Sequence, residues 1–209
     1  MKIHEVEQGS DEWFALRKGR LTASQYHNVF NKKTMRLNNA TAINHMDGML
    51  GDMNCHEDDR IILKPSYAME RGTRLEPLAR LDFELRTGIE VSEVGFVTNK
   101  AFGDHIGCSP DGLIDGGKGG IEIKCPLAKA HYRYHRQGVL PKEYREQVHG
   151  CMAVCDADYW WFTSYYPNIQ DFTLKVYRDE YTASIAQMLK EFNNLFAQRL
   201  SETKHLANG

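Results

Sequence analysis

The 209-residue chain has no apolar run approaching the ~20 residues that a membrane-spanning helix needs. Its first residues, Met1-Lys2-Ile3-His4-Glu5, lack the apolar stretch of a secretory signal, so a cytoplasmic protein with no membrane partner is expected. Proline is scarce, and no repeat, low-complexity tract or linker divides the sequence. The length suits one α/β domain spanning residues 1–209, with 201–209 as a frayed tail. Cysteine is limited to Cys55, Cys108, Cys125, Cys151 and Cys155. An odd, irregularly spaced set in such a chain reads as reduced thiols, mostly buried. Cys151 and Cys155 lie one helical turn apart, but no second pair completes a zinc site, so no zinc is expected. A basic excess is also missing: the net charge is −2, which counts weakly against a nucleic-acid binder. The average hides segregation. Residues 11–36 and 124–145 carry local excesses of four and five positive charges, whereas Asp47, Asp52, Glu57, Asp58 and Asp59 face only Arg60 within 39–60. That distribution fits a protein that holds a polyanion at one place.

What is present centres on Gly107–Pro126, GCSPDGLIDGGKGGIEIKCP. Ile121 and Ile123 favour an extended strand. Alternation then sets Glu122 and Lys124 on one face and the isoleucines on the other. Asp115–Gly120 reads as a turn because adjacent glycines take positive φ without steric cost. A strand ending near Ile114 would fold back on Ile121–Cys125 and bring Asp111 beside Glu122. Two carboxylates and a lysine at strand ends suit metal-assisted phosphodiester hydrolysis, since Mg²⁺ takes oxygen ligands and keeps several waters. A charged hairpin in solvent is the plainer alternative. It accounts for Asp115 and Lys118 better than for Glu and Lys alternating with isoleucine.

Elsewhere the sequence predicts a helix capped by Ser10, with Asp11 and Glu12 in its first turn and Gly19 at its end. Thr22 and Gln25 suggest a capping box for a second helix reaching Phe30, which would put Ser24 among free N–H groups that attract phosphate. Taken alone, Arg17 reads as a surface arginine and Ser24 as a first-turn residue. Asn31–Asn38 reads as a mobile loop, and the helical spacing of Met46, Met49, Leu50 and Met53 is interrupted by Gly48 and Gly51. A helix over Ser66–Arg86 would present Leu75, Leu78, Ala79, Leu81 and Leu85, with Pro77 restarting or kinking it and Gly88 ending it. Strands are expected at Ile89–Val97 and Phe102–Cys108. A helix over Leu127–Gln137 would hold Lys129, Arg133 and Arg136 on one face, among aromatics suited to backbone contact and base stacking or simply packed beneath a solvated face. Pro141 should open a helix to Cys155, with Gln147 pointing from it. Strands at Tyr159–Tyr166 and Asp171–Tyr177 and a helix over Glu180–Leu200 complete a central mixed β-sheet flanked by helices.

Asp111…Glu122-x-Lys124, introduced by Pro110, resembles the core of the PD-(D/E)XK nuclease superfamily, with its restriction-endonuclease-like fold. CSPDGLI and IEIKCP, together with Glu7-Gln8-Gly9 to Trp13, Leu16–Gly19, Thr22-Ala23-Ser24, Gly72-x-x-x-Glu76 and Glu146-Gln147-Val148, are similar to the phage lambda exonuclease branch, the YqaJ-like viral recombinases. The resemblance implies an alkaline-type deoxyribonuclease. It would be a Mg²⁺-dependent 5′-to-3′ exonuclease, with Mn²⁺ as a substitute, that digests one strand of linear double-stranded DNA to mononucleotides and leaves 3′ overhangs for phage recombination. Asp111, Glu122 and the Ile123 carbonyl would bind metal, Glu76 would serve the second metal or its waters, and Lys124 would contact the attacking water. Arg17, Ser24, Ser109 and Gln147 would bind the 5′-phosphate. Without the resemblance, Glu76 is one solvent-facing glutamate among several. The branch also implies a ring-shaped homotrimer and a single-strand annealing recombination protein as partner. Some related nucleases carry an iron–sulfur cluster on C-terminal cysteines; no cysteine follows Cys155, so none is expected. Two other readings are an endonuclease or structure-specific nuclease of the same fold, and a catalytically idle DNA-binding accessory protein.

Overall fold

The computed structural model describes residues 1–54 and 66–208. Strand β1 (Lys2–His4) precedes α1 (Asp11–Arg17), which Ser10 caps by accepting a hydrogen bond from the Trp13 amide. Strand β2 (Leu21–Thr22) leads through a 3-10 turn into α2 (Tyr26–Val29). Strands β3 (Phe30–Asn31) and β4 (Arg36–Leu37) make a short hairpin, followed by α3 (Asn39–Asn54). Helix α4 (Tyr67–Thr87) starts at a Ser66 cap and stops at Gly88, whose φ of 69° is the left-handed conformation of a helix end. Strands β5 (Phe96–Thr98), β6 (Ile106–Gly107), β7 (Gly112–Ile114) and β8 (Gly119–Lys124) come next, then α5 (Ala128–Gln137) and α6 (Arg145–Cys155). Strands β9 (Tyr159–Tyr166) and β10 (Ile169–Tyr177) lead to α7 (Glu180–Thr203).

The main sheet has the order β10-β9-β8-β7. Its outer pairs are antiparallel and its central pair, β8 with β9, is parallel. A parallel pair needs a crossover, and α5 and α6 supply it. Where the two strands meet, Gly120 lies against the Trp160 ring, and a Cβ there would fall 2.3 Å from it. On one face of the sheet, Ile121, Ile123 and Ile114 pack with Ala79 and Phe83 of α4 in a small dry cluster. On the other, Trp160 and Phe162 join the larger core with residues of α6 and α7.

The hairpin of β7 and β8, the cap of α1, helix α5 and strand β9 follow the sequence expectation. Several other elements differ. The Thr22 capping box does not form: Thr22 pairs with Gly107 in β2–β6, its hydroxyl accepts from Arg17 and donates to Gln25, and α2 has only four residues. Strand pairing has displaced the cap, and with it the helix-dipole argument for Ser24. Residues 31–38 form a turn and hairpin rather than a mobile loop, with the Asn31 side chain accepting from the Lys33 and Thr34 amides. Gly48 and Gly51 do not interrupt α3, because Met46 and Met49 are buried and their packing offsets the poor helix propensity of glycine. Pro77 lies inside one unbroken helix. The buried stripe of α4 is Leu75, Ala79 and Phe83 at spacings of four, which leaves Leu78, Leu81 and Leu85 exposed. Ile89–Val97 is strand only at its end, and Phe102–Cys108 only at Ile106–Gly107. Helix α6 starts at Arg145 rather than Pro141, and α7 runs past Leu200 to Thr203 before a 3-10 turn at Lys204–Asn208. Cys108, Cys151 and Cys155 are buried free thiols, with the sulfurs of Cys108 and Cys155 3.7 Å apart. The expectations for Cys55 and for Glu57, Asp58, Asp59 and Arg60 lie outside the described residues. Among the described residues, no helix is long and apolar enough to cross a membrane.

Candidate active site

Strand β8 positions the site. Its isoleucines face α4, so alternation turns Glu122 and Lys124 towards α6. Strand β7 begins at Gly112, paired with Ile121 of β8, and Asp111 occupies the bend just before it. There the Asp111 carboxylate takes the place of a strand partner: its Oδ2 accepts from the Ile123 amide at 2.6 Å. In an extended strand the amide and carbonyl of one residue point to the same side. The Ile123 carbonyl therefore faces the Asp111 side as well.

Glu122 is fully buried. Its Oε1 receives the Gln147 amide at 2.6 Å and the Lys124 ammonium at 2.5 Å, while its Oε2 has no hydrogen-bond partner. Lys124 also lies 5.2 Å from the centre of the Tyr144 ring. Glu76, on α4, pairs with Arg80 at 3.0 Å, and Arg80 is held in turn by Glu93. Burial raises all three carboxyl groups. Glu122 is pushed up to about 8, with Lys124 opposing and Asp111 adding to the rise. Glu76 is pushed up to about 7 by burial and then by Asp111. Asp111 is raised by burial, against Lys124 and the Ile123 amide. Burial alone would lower Lys124, but Glu122 and Asp111 outweigh it and keep the ammonium charged.

Glu122 is buried with one oxygen unpaired, and Asp111 and Glu76 are half-buried; carboxylates of this kind are the ligands a hard divalent cation takes. Among the described residues, however, no three His, Cys, Asp or Glu side chains stand close enough together to hold an ion as they are. Asp111, Glu76 and Arg80 line a cleft of about 890 Å³ that extends to Arg17 and Trp13.

The four residues predicted for the 5′-phosphate do not all converge. Arg17 and Ser109 do: Arg17 Nη1 donates to Ser109 Oγ at 3.0 Å, and its guanidinium stacks over Trp13 at 4.1 Å. Trp13 Nε1 also donates to Ser109 Oγ. Ser109 lies in an irregular link between β6 and β7 and is held by its contacts with α1. Gln147 is engaged with Glu122 instead, and Ser24 is exposed with no side-chain hydrogen bond among the described residues. Lys129, Arg133 and Arg136 share one exposed face of α5, with Leu127 and Tyr132 beside them; Tyr134 is buried beneath, and Arg133 is paired with Glu143. Sequence reasoning missed Arg80 and Tyr144. The spacing of four between Glu76 and Arg80 was the available signal for the first. Nothing local marks Tyr144, which reaches Lys124 only through the fold.

A mixed sheet with this carboxylate–lysine strand end defines a PD-(D/E)XK nuclease core, and solved structures share it. An alkaline exonuclease from Laribacter hongkongensis (LHK-Exo) is 30% identical, with a TM-score of 0.79 over 95% of this chain and 98% of that one. Its structure in complex with dAMP matches at 30% identity and a TM-score of 0.73, covering 94% of this chain and 100% of that one. A phage-related exonuclease from Haemophilus somnus, at 15% identity, shares the fold with a TM-score of 0.62, over 88% of this chain and 96% of that one. No curated protein matches the sequence significantly. The model of the YqaJ-like viral recombinase domain matches residues 12–158, and the chain belongs to that family.

Proposed function

We propose that the protein is a Mg²⁺-dependent 5′-to-3′ exonuclease acting in the cytoplasm on one strand of linear double-stranded DNA, releasing mononucleotides and leaving 3′ overhangs. The observation that carries this reading is the convergence of Asp111, Glu122 and Lys124 on one end of β8, with Glu122 buried and its Oε2 unpaired. Asp111, Glu122, the Ile123 carbonyl and Glu76 would hold the cation, and Mn²⁺ would substitute for it. When bound, the cation polarises the phosphoryl oxygen and lowers the pKa of its water.

The remaining chemistry belongs to the chain. Glu122 holds the Lys124 ammonium and the Asp111 charge helps keep it protonated, leaving a donor for the attacking water or for charge building on the phosphate. Gln147 orients Glu122 through its amide. Arg80 holds Glu76 towards the cleft. Arg17, linked to the Ser109 hydroxyl, would meet the DNA strand end, whose terminal phosphate dianion takes a guanidinium well. Lys129, Arg133 and Arg136 would follow the duplex backbone. The dAMP held by the Laribacter enzyme is in keeping with a nucleotide product. A homotrimeric ring would present each basic face three times around one duplex, which removes the difficulty of a net charge of −2. A single-strand annealing protein would take the overhang.

A time course on linear and covalently closed circular DNA tests the reading. Only the linear form should be consumed; nicking or linearisation of the circle would point to an endonuclease of the same fold. Light scattering should give three times the 24.0 kDa chain mass, and a monomer would contradict the ring.

A further inference from the structure

Two antiparallel bridges hold the chain on either side of Asp111. Val97 and Cys108 exchange both backbone hydrogen bonds, and so do Ser92 and Leu113. In an unbroken antiparallel ladder such bonded pairs recur at every second residue. Ser92 and Val97 are five residues apart, as are Cys108 and Leu113, so no regular ladder joins the two bridges. The break has a local cause. The next bonded pair after Val97 and Cys108 would be Gly95 and Pro110, and proline has no N–H to give the Gly95 carbonyl. Side chains from the N-terminal segment take over the carbonyls left behind. Gly95 O accepts from the Trp13 indole at 3.1 Å, Pro110 O from Gln8 Nε2 at 2.8 Å, and Val94 O from the same Gln8 nitrogen at 2.9 Å. Both protons of one side-chain amide thus bridge two segments that no longer pair with each other. Gly95 lets the N-terminal segment come this close: a Cβ there would fall 2.0 Å from the Val6 carbonyl oxygen.

We propose that Gln8 is a positioning residue for Asp111. The Pro110 carbonyl shares a rigid peptide plane with the Asp111 nitrogen, so the bond from Gln8 sets the plane from which the Asp111 side chain departs. At its other end that side chain is fixed by the Ile123 amide. Gln8 itself is exposed on the wall of the cleft, so removing its amide empties no core and should leave stability nearly level. What changes is the direction of the Asp111 carboxylate. That this direction serves hydrolysis rests on the function proposed above; the placement itself does not.

The test compares wild type with Gln8→Met, which keeps nearly the length of glutamine but has no donor. The first readout is the Ile123 amide signal in a proton–nitrogen correlation spectrum of metal-free protein without DNA, with Asp111→Ala as the reference for an amide that has lost its carboxylate. In Gln8→Met this signal should move most of the way to its Asp111→Ala position. The amide of Gly119, opposite Ile114 in the same hairpin, and the melting temperature should both hold. The second readout is digestion of linear duplex in Mg²⁺. There kcat should fall on the order of tenfold to a hundredfold with KM unchanged, the effect of misplacing a reacting group by about 1 Å. Should Gln8→Met fail to fold, Gln8→Glu decides by the same criteria. An Ile123 signal that stays in place, one that moves together with Gly119 and a falling melting temperature, or an active wild type whose kcat the variant keeps overturns the proposal. Because the amide is read without cleavage, a wild type that digests no DNA would sink the proposed exonuclease activity, and a shifted Ile123 signal would still establish the placement.

Discussion

The two faces of β8 differ in what they are for. Ile121 and Ile123 are packed against α4 in a small apolar cluster with Ala79 and Phe83. One residue away, on the opposite face, Glu122 is just as buried but carries an unpaired oxygen and a carboxyl pushed up to about 8. The first face lowers the free energy of the fold. The second raises it, because an ionisable group has been removed from water with part of its hydrogen bonding missing. A strand of six residues thus separates stability from chemistry by side-chain alternation alone.

Substitutions on the two faces should separate in the same way. The largest effect belongs to the polar face: Asp111→Ala and Glu122→Ala should each abolish cleavage while the melting temperature stays level or rises. Lys124→Ala should lose catalysis but still bind the cation, as titration calorimetry would read. A large drop in melting temperature for Glu122→Ala would mean that this face is structural after all. On the apolar face, Ile121→Ala should cost about 2–5 kcal/mol in denaturant unfolding, the usual range for emptying a buried aliphatic site. Turnover per folded molecule should survive.

A smaller change tests the reach of the site beyond β8. Arg17→Ala removes a charge-assisted contact worth about 1.5–3 kcal/mol, so the preference for 5′-phosphorylated over 5′-hydroxyl ends should fall roughly tenfold to a hundredfold. Paired digestion of the two substrates measures it, and an unchanged ratio would place the end pocket elsewhere.

The smallest effect lies far from the strand end. Asp171 is pushed up to about 7 by burial, against Arg86, whose Nη2 lies 2.8 Å from it. Its folded pKa is above the unfolded one, so the folded state retains a proton that the unfolded chain has released. Stability from this group therefore falls as pH rises from about 4 to about 7. Asp171→Asn should flatten that part of the stability–pH curve, and an unaltered curve would show that Asp171 is not the titrating group.

The contrast between faces was legible in the sequence because it is local. Ile-Glu-Ile-Lys after a glycine turn specifies alternation, and the turn specifies the hairpin. Residues that reach the site from a distance were legible only through family resemblance. Glu76 arrives on α4, Arg17 on α1 and Gln147 on α6, and no periodicity in those helices marks which side chain meets β8. Where periodicity was used without knowledge of the packing partners, it misled. The leucines of α4 suggested one broad apolar side, but the sheet accepts only the Leu75–Ala79–Phe83 stripe. Thr22 looked like a helix cap because its competing partner, Gly107, lies 85 residues on in sequence and enters only through the β2–β6 pairing.

The central claim is that the polar face of β8 is a divalent-cation site that hydrolyses DNA from a 5′ end. Digestion of linear duplex labelled at either the 5′ or the 3′ terminus, with Mg²⁺ and with chelator, tests it most directly. The account predicts early release of the 5′ label as mononucleotide, late loss of the 3′ label, and no release of either in chelator. Early release of the 3′ label, or release that persists in chelator, would contradict it.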